Sequence, residues 1–317
     1  MKTENANQPT LFEKATPAEK WGEDETKHTL DELFNNARKY RFGQSYMDLM
    51  AFISRFRFYS PYNAMLLHIQ MPGACYVAPA ARWARQYGRA VKPEARPLVI
   101  LQPMGPVMFV FDVSDTEPGP HAQPLPTEIE KPFDIQRGTI GHEYEQTIEN
   151  AKRDGIRVTL HEEGSQSAGS ISCVDNVNKL SLLQFRVGRD VHGDSVNIDV
   201  PVRYDLLMNK NLSRTSNYAT MVHELAHLYC GHLGTPNRKW WPDRQGLQGK
   251  VREFEAESIA FMICNRLNIS NPSDAYLAHY LKHNQEIPQI SIECVIKTAG
   301  LIEQMGQKQL KPRKDKE

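Results

Sequence analysis

His223 and His227 stand four residues apart in the sequence His223-Glu224-Leu225-Ala226-His227, an H-E-x-x-H run inside a stretch whose apolar residues recur at helical spacing. Residues four apart on a helix lie one above the other, so both imidazoles face one side and can hold a single Zn2+ at about 2.0 to 2.1 Å. Glu224 lies beside that face, where its carboxylate can take a proton from a water molecule and pass it to a leaving amine. Val222, Leu225 and Leu228 point the other way and bury the helix. A closed structural zinc site needs four protein ligands, whereas a catalytic one needs three and an open position, so the third ligand decides the chemistry.

His232 is near in sequence, but on a helix continued past Tyr229 it would lie about 180° around from His223. Gly231 also reads as a helix stop. A metzincin pattern needs Gly at 230 and His at 233, where Cys230 and Leu233 stand. The other source is the run Val251-Arg252-Glu253-Phe254-Glu255-Ala256-Glu257-Ser258-Ile259-Ala260-Phe261-Met262, which places three carboxylates in an otherwise apolar helix. Glu253 and Glu257 share a face, which suits a ligand and a partner that hydrogen-bonds a metal-bound imidazole; Glu255 points elsewhere. Glu253 is the preferred ligand and Glu257 the orienting residue, with Glu255 or Glu257 as ligand left open. Interaction with the helix dipole accounts for Glu253 without a metal, and for Glu257 less well.

Helices are expected over about 216–230 and 249–267 to carry these groups, with further helical pattern over 273–306. Ahead of them, 139–154 reads as a helix and 156–160 as a strand, followed by a Gly/Ser-rich turn and extended segments at 179–185 and 196–200. Residues 204–211 are a candidate edge strand for pairing an extended substrate. Tyr229, His232, Tyr276, His279 and Tyr280 are equal candidates to stabilise an oxyanion. Trp240 and Trp241, in the loop between the two site helices, either wall the cleft or pack on it. His28, His68, His121, His142, His161, His192 and His283 have no ligand spacing.

The first third of the chain has a different character. Helical patterns over 27–40, 43–57 and 61–70 are punctuated by Gly43 and Ser60-Pro61. A short helix over 80–87 follows, then strands at 97–101 and 107–113 joined by a Pro-Met-Gly-Pro turn. Residues 38–96 carry ten basic and two acidic side chains, with eleven aromatic residues among them. Arginines can neutralise phosphates while aromatic rings stack on exposed bases, at about 1 to 3 kcal/mol per base, which favours single-stranded nucleic acid over duplex grooves. Arg55-Phe56-Arg57-Phe58-Tyr59 with Arg82, Trp83, Arg85 and Arg89 is the expected contact surface; the plain alternative is that the aromatics are core and the arginines solvate helix faces.

Both halves of the metal pattern, His223 to His227 and Glu253 to Glu257, resemble the ImmA/IrrE-type zinc metallopeptidases. The order of Cys264, Leu267-Asn268-Ile269 and Ser273-Asp274-Ala275-Tyr276-Leu277 after them is similar to the C-terminal domain of ArdC-like antirestriction proteins. Ser60-Pro61-Tyr62-Asn63-Ala64-Met65-Leu66-Leu67, Trp83 and Gly88-Arg89-Ala90-Val91-Lys92 resemble that family's N-terminal single-stranded-DNA-binding domain, with Lys92-Pro93-Glu94 where the family has Lys-Gly-Glu. The resemblance implies a DNA-binding unit joined to a zinc peptidase that acts in protecting incoming DNA against restriction.

Composition sets the remaining bounds. At 317 residues and 40% apolar the chain can bury a core, which excludes a fibrous or wholly disordered protein. Equal numbers of basic and acidic groups say nothing about a partner. There is no apolar run of about 18 residues and no secretory leader pattern, so a cytoplasmic protein without a membrane partner is expected. Cys75, Cys173, Cys230, Cys264 and Cys294 are scattered without a C-x-x-C pair and read as reduced, mostly buried thiols.

The expectation is therefore an α+β protein: a flexible tail over 1–25, a small single-stranded-DNA-binding-like unit over 26–113, a Pro-rich linker or loop over 114–138, a zincin-like metallopeptidase unit over 139–306 and a charged tail over 307–317. It holds Zn2+ through His223, His227 and Glu253, with Glu224 as the catalytic base and a protein or peptide as substrate. Two alternatives stand beside it: a DNA-binding antirestriction factor with a structural or vestigial zinc site, and a regulatory peptidase that cleaves a repressor without binding DNA.

Overall fold

The computed structural model describes residues 40–102, 105–125, 139–162, 168–174, 181–189, 194–269, 273–281 and 284–313. Outside them lie the expected tail of 1–25, the expected helix over 27–40 except its last residue, residues 126–138 of the Pro-rich segment, the turn at 163–167 and residues 314–317. Arg38 and Lys39 of the basic segment lie outside them too.

The first elements are helices α1 (Gly43–Arg55) and α2 (Pro61–Gln70). Tyr46, Leu49, Met50 and Ile53 form the buried stripe of α1. Helix α2 starts sharply because the Ser60 hydroxyl accepts from the Asn63 amide at 3.3 Å and Pro61, which lacks an N–H, occupies the first turn. Strand β1 (Val77–Ala78), helix α3 (Ala80–Tyr87), and strands β2 (Arg89–Val91), β3 (Leu98–Gln102), β4 (Gly105–Asp112) and β5 (Thr116–Pro118) follow. They build an antiparallel sheet in the order β1-β4-β3 and a separate β2-β5 pair. The Pro-rich stretch thus begins as a paired strand, and its next residues stay tied to the end of α3 through Gly119 N–H to the Gly88 carbonyl and Gln123 N–H to the Tyr87 carbonyl.

The second half contains α4 (Glu143–Arg153), β6 (Ile156–His161), β7 (Gly169–Cys173), β8 (Leu182–Arg189), β9 (Ser195–Pro201) and β10 (Tyr204–Asn209). Helices α5 (Arg214–Tyr229), α6 (Gly249–Arg266), α7 (Ser273–Leu281) and α8 (Ile292–Gln307) complete it. Strands β8 and β9 form an antiparallel hairpin. Strand β10 pairs in parallel with β6 and antiparallel with β7. It is therefore the central strand, which corrects the expectation that 204–211 forms an edge. Tyr204, Leu206 and Met208 alternate into the core, as a strand paired on both sides requires. Among the described residues the two edges of this sheet are β6 and β7.

Helix α6 is buried nearly all round: its positions from Ser258 to Cys264 are all buried, with α1, α5, α7 and α8 packed about it. The ring of Tyr46 from α1 meets Phe254 of α6 at 5.3 Å between centroids, and Tyr280 of α7 meets the same ring edge-on at 4.9 Å. Residues 39–317 form one compact unit, so the helices of the 26–113 segment share a core with the helices that follow residue 139. The protein is α+β. Among the described residues no helix is long and apolar enough to cross a membrane.

Arg266, at the end of α6 and 4% exposed, fastens the N-terminal helices to this core. Its guanidinium donates to the carbonyls of Ile53 (2.7 Å), Phe56 (3.0 Å), Arg57 (3.2 Å) and Tyr59 (2.7 Å), and pairs with Glu303 of α8 at 2.6 Å. The four carbonyls belong to the frayed end of α1 and the turn after it, which have no helical donors. Replacing Arg266 by Met removes these bonds, leaves the Phe56 carbonyl with the Tyr59 amide (3.2 Å) and takes the guanidinium from a partly buried carboxylate. The expected loss is about 3 to 5 kcal/mol in urea unfolding, against less than about 1 kcal/mol for Arg157→Met, whose partner Asp205 is a surface carboxylate.

Candidate metal centre

Helix α5 begins where Ser213 accepts from the Ser216 amide at 3.1 Å, and it runs sixteen residues to Tyr229. Met221, Val222, Leu225, Ala226 and Leu228 are fully buried, which turns His223 and His227 toward α6. Their Nε2 atoms are 3.2 Å apart. From α6, Glu253 Oε2 lies 3.6 Å from His223 Nε2 and Oε1 lies 3.6 Å from His227 Nε2. Donors at about 2.0 to 2.1 Å around a tetrahedral ion are separated by about 3.3 to 3.4 Å. Each imidazole nitrogen thus faces a different oxygen of the one carboxylate, and one donor atom from each of the three residues lies within 4.8 Å of the others, close enough to converge on a single cation. Glu257 Oε1 is 3.8 Å from His223 Nδ1, longer than a hydrogen bond but on the ring's other side, where a carboxylate favours the proton on Nδ1.

The end of α5 supplies what sequence reasoning missed. Gly231 N–H bonds to the Leu228 carbonyl (2.8 Å) and His232 N–H to the His227 carbonyl (2.9 Å), a Schellman turn with Gly231 at φ +79°. A Cβ at Gly231 would stand 1.9 Å from the Pro242 carbonyl oxygen. The turn reverses the chain and swings His232 beneath His227, so their Nδ1 atoms are 2.9 Å apart. His232 is not on a continued helix, and the 180° estimate does not apply to it. A signal was available: in a Schellman turn the residue after the glycine packs on the residue three back from the cap, here His227.

His232 Nε2 in turn lies 2.9 Å from Glu255 Oε2. Glu255 is fully buried and also accepts from both Arg244 nitrogens (2.7 Å each) and from the Ser291 amide (2.8 Å). Burial works against its charge, but the bonds from His232, Arg244 and Ser291 outweigh it and hold the carboxyl below the usual range. A carboxylate only accepts, so His232 donates from Nε2 and accepts on Nδ1; His227 then donates from Nδ1 and keeps the lone pair of Nε2 toward the candidate site. Cys230, His232 and Glu255 also cluster at metal-ligand spacing, but a guanidinium already grips both Glu255 oxygens. The cluster is a hydrogen-bonded relay behind the metal centre.

Burial disfavours the imidazolium of His223, and the carboxylates of Glu253, Glu257 and Glu224 more than offset this and raise it. The two imidazoles act on Glu253 in the opposite sense, lowering it strongly. Glu224 is raised by burial, against the pull of His223, His227 and a hydrogen bond from the Ile171 amide of edge strand β7. The raised carboxyl therefore stands beside the candidate centre and next to edge strand β7.

The five oxyanion candidates separate. Tyr229 is buried and donates to Asp154 at 2.8 Å on the far side of α5, and His232 is engaged by His227 and Glu255. Tyr276 feels the charges of Glu253 and Glu257 and is held by Tyr280; Tyr280 is buried against Phe254, and His279 is exposed. Trp241 packs inward, its indole donating to the Gly234 carbonyl at 2.9 Å.

The basic segment is not one patch. Trp83 has no exposed surface, donates to the Phe111 carbonyl at 2.9 Å and anchors a small core with Ala78 and Tyr87. It therefore leaves the expected contact surface, because its ring faces cannot reach a base. Arg89 is spent on Thr116 (2.7 and 2.9 Å), Arg57 on Asn268, and Arg55 lies over the Phe52 ring at 5.4 Å. Arg82 and Arg85 are exposed on α3, Arg82 bonded to Gln86, and Phe58 is 68% exposed.

Removing the relay tests its role. His232→Ala is expected to weaken divalent-ion affinity about 10- to 100-fold by isothermal titration, because His227 loses the partner that fixes its tautomer. His68→Ala, at another buried ring, leaves it unchanged.

No family model matches the chain. An uncharacterized protein of Bacillus anthracis is 22% identical over 293 residues, covering 84% of this chain and 48% of that protein, so the chain spans about half the length of the curated relative it matches. Crystal structures of a plasmid-encoded antirestriction protein ArdC, one metal-free and one with Mn(II) bound, are similar to it at 12% identity and a TM-score of 0.34. They cover 90% and 89% of this chain and 96% of theirs.

Proposed function

We propose that the chain is a metal-dependent peptidase of the ImmA/IrrE type, with the zinc-binding ArdC-like arrangement that its sequence resembles. The observation that carries this is the convergence of His223 Nε2 and His227 Nε2, 3.2 Å apart, on the two carboxylate oxygens of Glu253, one at 3.6 Å from each ring. These residues fit a divalent ion such as Zn2+: two neutral imidazoles and one carboxylate, oriented from behind and open on one side. When bound there, such an ion supplies Lewis-acid polarisation of a carbonyl and acidifies water.

The chain's own groups divide the remaining work. Strand β7 offers its free edge to an extended peptide, whose backbone can pair with it. Glu224, held against that edge by the Ile171 amide, takes a proton from the attacking water and returns it to the leaving amine. Burial raises the Glu224 carboxyl, which favours its taking up and holding a proton between the two transfers. Tyr276, beside the site carboxylates, is the candidate donor to the developing oxyanion. The relay through His232 and Glu255 keeps the His227 lone pair aimed inward.

A nucleic-acid surface belongs to the same reading. Arg82 and Arg85 on α3, with the exposed ring of Phe58, combine phosphate-neutralising and base-stacking groups on single-stranded DNA. Antirestriction, with the peptidase acting on a protein met on incoming DNA, is the setting that the resemblance suggests.

Two measurements test these parts separately. Glu224→Gln is expected to lower hydrolysis of a casein or peptide library about 10²- to 10⁴-fold while divalent-ion binding persists; full hydrolysis in that variant removes Glu224 as the base, and antirestriction that survives Glu224→Ala but not charge reversal in the 38–96 segment leaves the structural or vestigial metal reading. For the DNA part, single-stranded oligonucleotide affinity should fall steeply between low and physiological salt, and Arg82→Glu with Arg85→Glu should flatten that slope. Absence of binding at low salt leaves a peptidase that acts without DNA.

A further inference from the structure

Cys230 at the end of α5 and Cys294 in the first turn of α8 are brought together, although 64 residues separate them. Cys230 Sγ bonds to Thr298 Oγ1 at 3.5 Å, one helical turn beyond Cys294, and Cys294 Sγ lies 4.0 Å from the Cys230 carbonyl oxygen. Both sulfurs therefore lie between the end of α5 and the first turns of α8. Arg244, whose guanidinium grips Glu255, places Nη1 3.2 Å from Cys294 Sγ. The surroundings of the two sulfurs differ. Cys230 has no exposed surface, whereas Cys294 lines an open pocket of about 450 Å³ together with Tyr229, Trp240, Trp241, Arg244 and Lys297. The peptidase reading uses neither thiol.

We propose that Cys294 and Cys230 are an oxidant-responsive dithiol, in which Cys294 attacks a small hydroperoxide entering through the pocket and Cys230 resolves the product as a disulfide. The Cys294 thiolate attacks the hydroperoxide oxygen, the O–O bond breaks, and the alkoxide or hydroxide leaves with the proton the thiol gave up. Cys294 is then a sulfenic acid. The Cys230 thiol attacks that sulfur, the S–S bond forms, the S–O bond breaks and water departs. Two thiols lose two electrons in all, and one hydroperoxide is reduced to an alcohol, or to water when it is hydrogen peroxide.

The roles follow from the environment. The neighbouring Cys230 thiol, and the Arg244 charge working against burial, hold the Cys294 thiol below the usual thiol range; the Cys294 thiol and burial push Cys230 well above it. A low, accessible thiol next to a high, buried one is the division that a peroxide-sensing pair requires. The disulfide would tie the Schellman turn of α5 to α8, next to the Arg244–Glu255–His232 relay.

The test uses the full chain, hydrogen peroxide at one equivalent and peptide mapping without reductant. The expected product is a Cys230–Cys294 cross-link with Cys75, Cys173 and Cys264 still free. In the unsubstituted chain at neutral pH, iodoacetamide should alkylate Cys294 at least about tenfold faster than the exposed Cys75 and Cys173. Cys230→Ser should accumulate a dimedone-reactive sulfenic acid at Cys294. Alkylation of Cys294 no faster than that of Cys75, or oxidation of Cys75 or Cys173 ahead of the pair, overturns the proposal. Those two readouts need no substitution, so they stand even if Cys230→Ser does not fold.

Discussion

The carboxylate of Glu255 governs how the two site helices meet. It has no exposed surface, and its oxygens collect His232, both Arg244 nitrogens and the Ser291 amide. A buried charge of this kind is tolerated only when every lone pair is engaged, and removing one partner costs about 3 to 5 kcal/mol. Four separate segments are therefore held in one arrangement: the turn after α5, the loop before α6, α6 itself and the start of α8. With α6 pinned through Glu255, Glu253 two residues earlier faces the opposite side, toward His223 and His227. The candidate centre and the relay behind it are the two faces of one helix.

Arg266 plays the complementary part at the other end of α6. Helical carbonyls at a C-terminus lack intrahelical donors, and this guanidinium supplies four such bonds to α1 and the turn after it. The basic, aromatic-rich segment thus rests on the helix that carries Glu253. Its aromatic residues divide by burial: Tyr46, Phe52, Phe56 and Trp83 fill cores, while Phe42 and Phe58 remain outside. Arg55, Arg57 and Arg89 are likewise engaged with a ring, an amide and a threonine of the same chain, while Arg82 and Arg85 are exposed on α3.

The elements were legible where one period dominated. Helices expected over 61–70 and 80–87 appear as Pro61–Gln70 and Ala80–Tyr87, because the Ser60–Pro61 start and the Gly88 stop are local, and the one expected over 249–267 appears as Gly249–Arg266. The long helical pattern after 273 divides into α7 and α8, where Pro288 and the Ser291 cap break it. Residues 204–209 read correctly as a strand but not as an edge, since pairing on both sides depends on strands remote in sequence. His232 was misplaced because a helix was extended through Gly231, whose positive φ ends it.

The amino-acid order alone specified the H-E-x-x-H face, the carboxylate helix, the basic segment and the α+β class, since each rests on spacing within one or two helical turns or on composition. Only the tertiary structure decided that Glu255 serves His232, that β7 is the strand beside Glu224, that Trp83 is core and that Cys230 meets Cys294. These are contacts between segments that no periodicity relates. They exist because burying a charge, an indole or a strand requires partners to be gathered from wherever the chain can bring them.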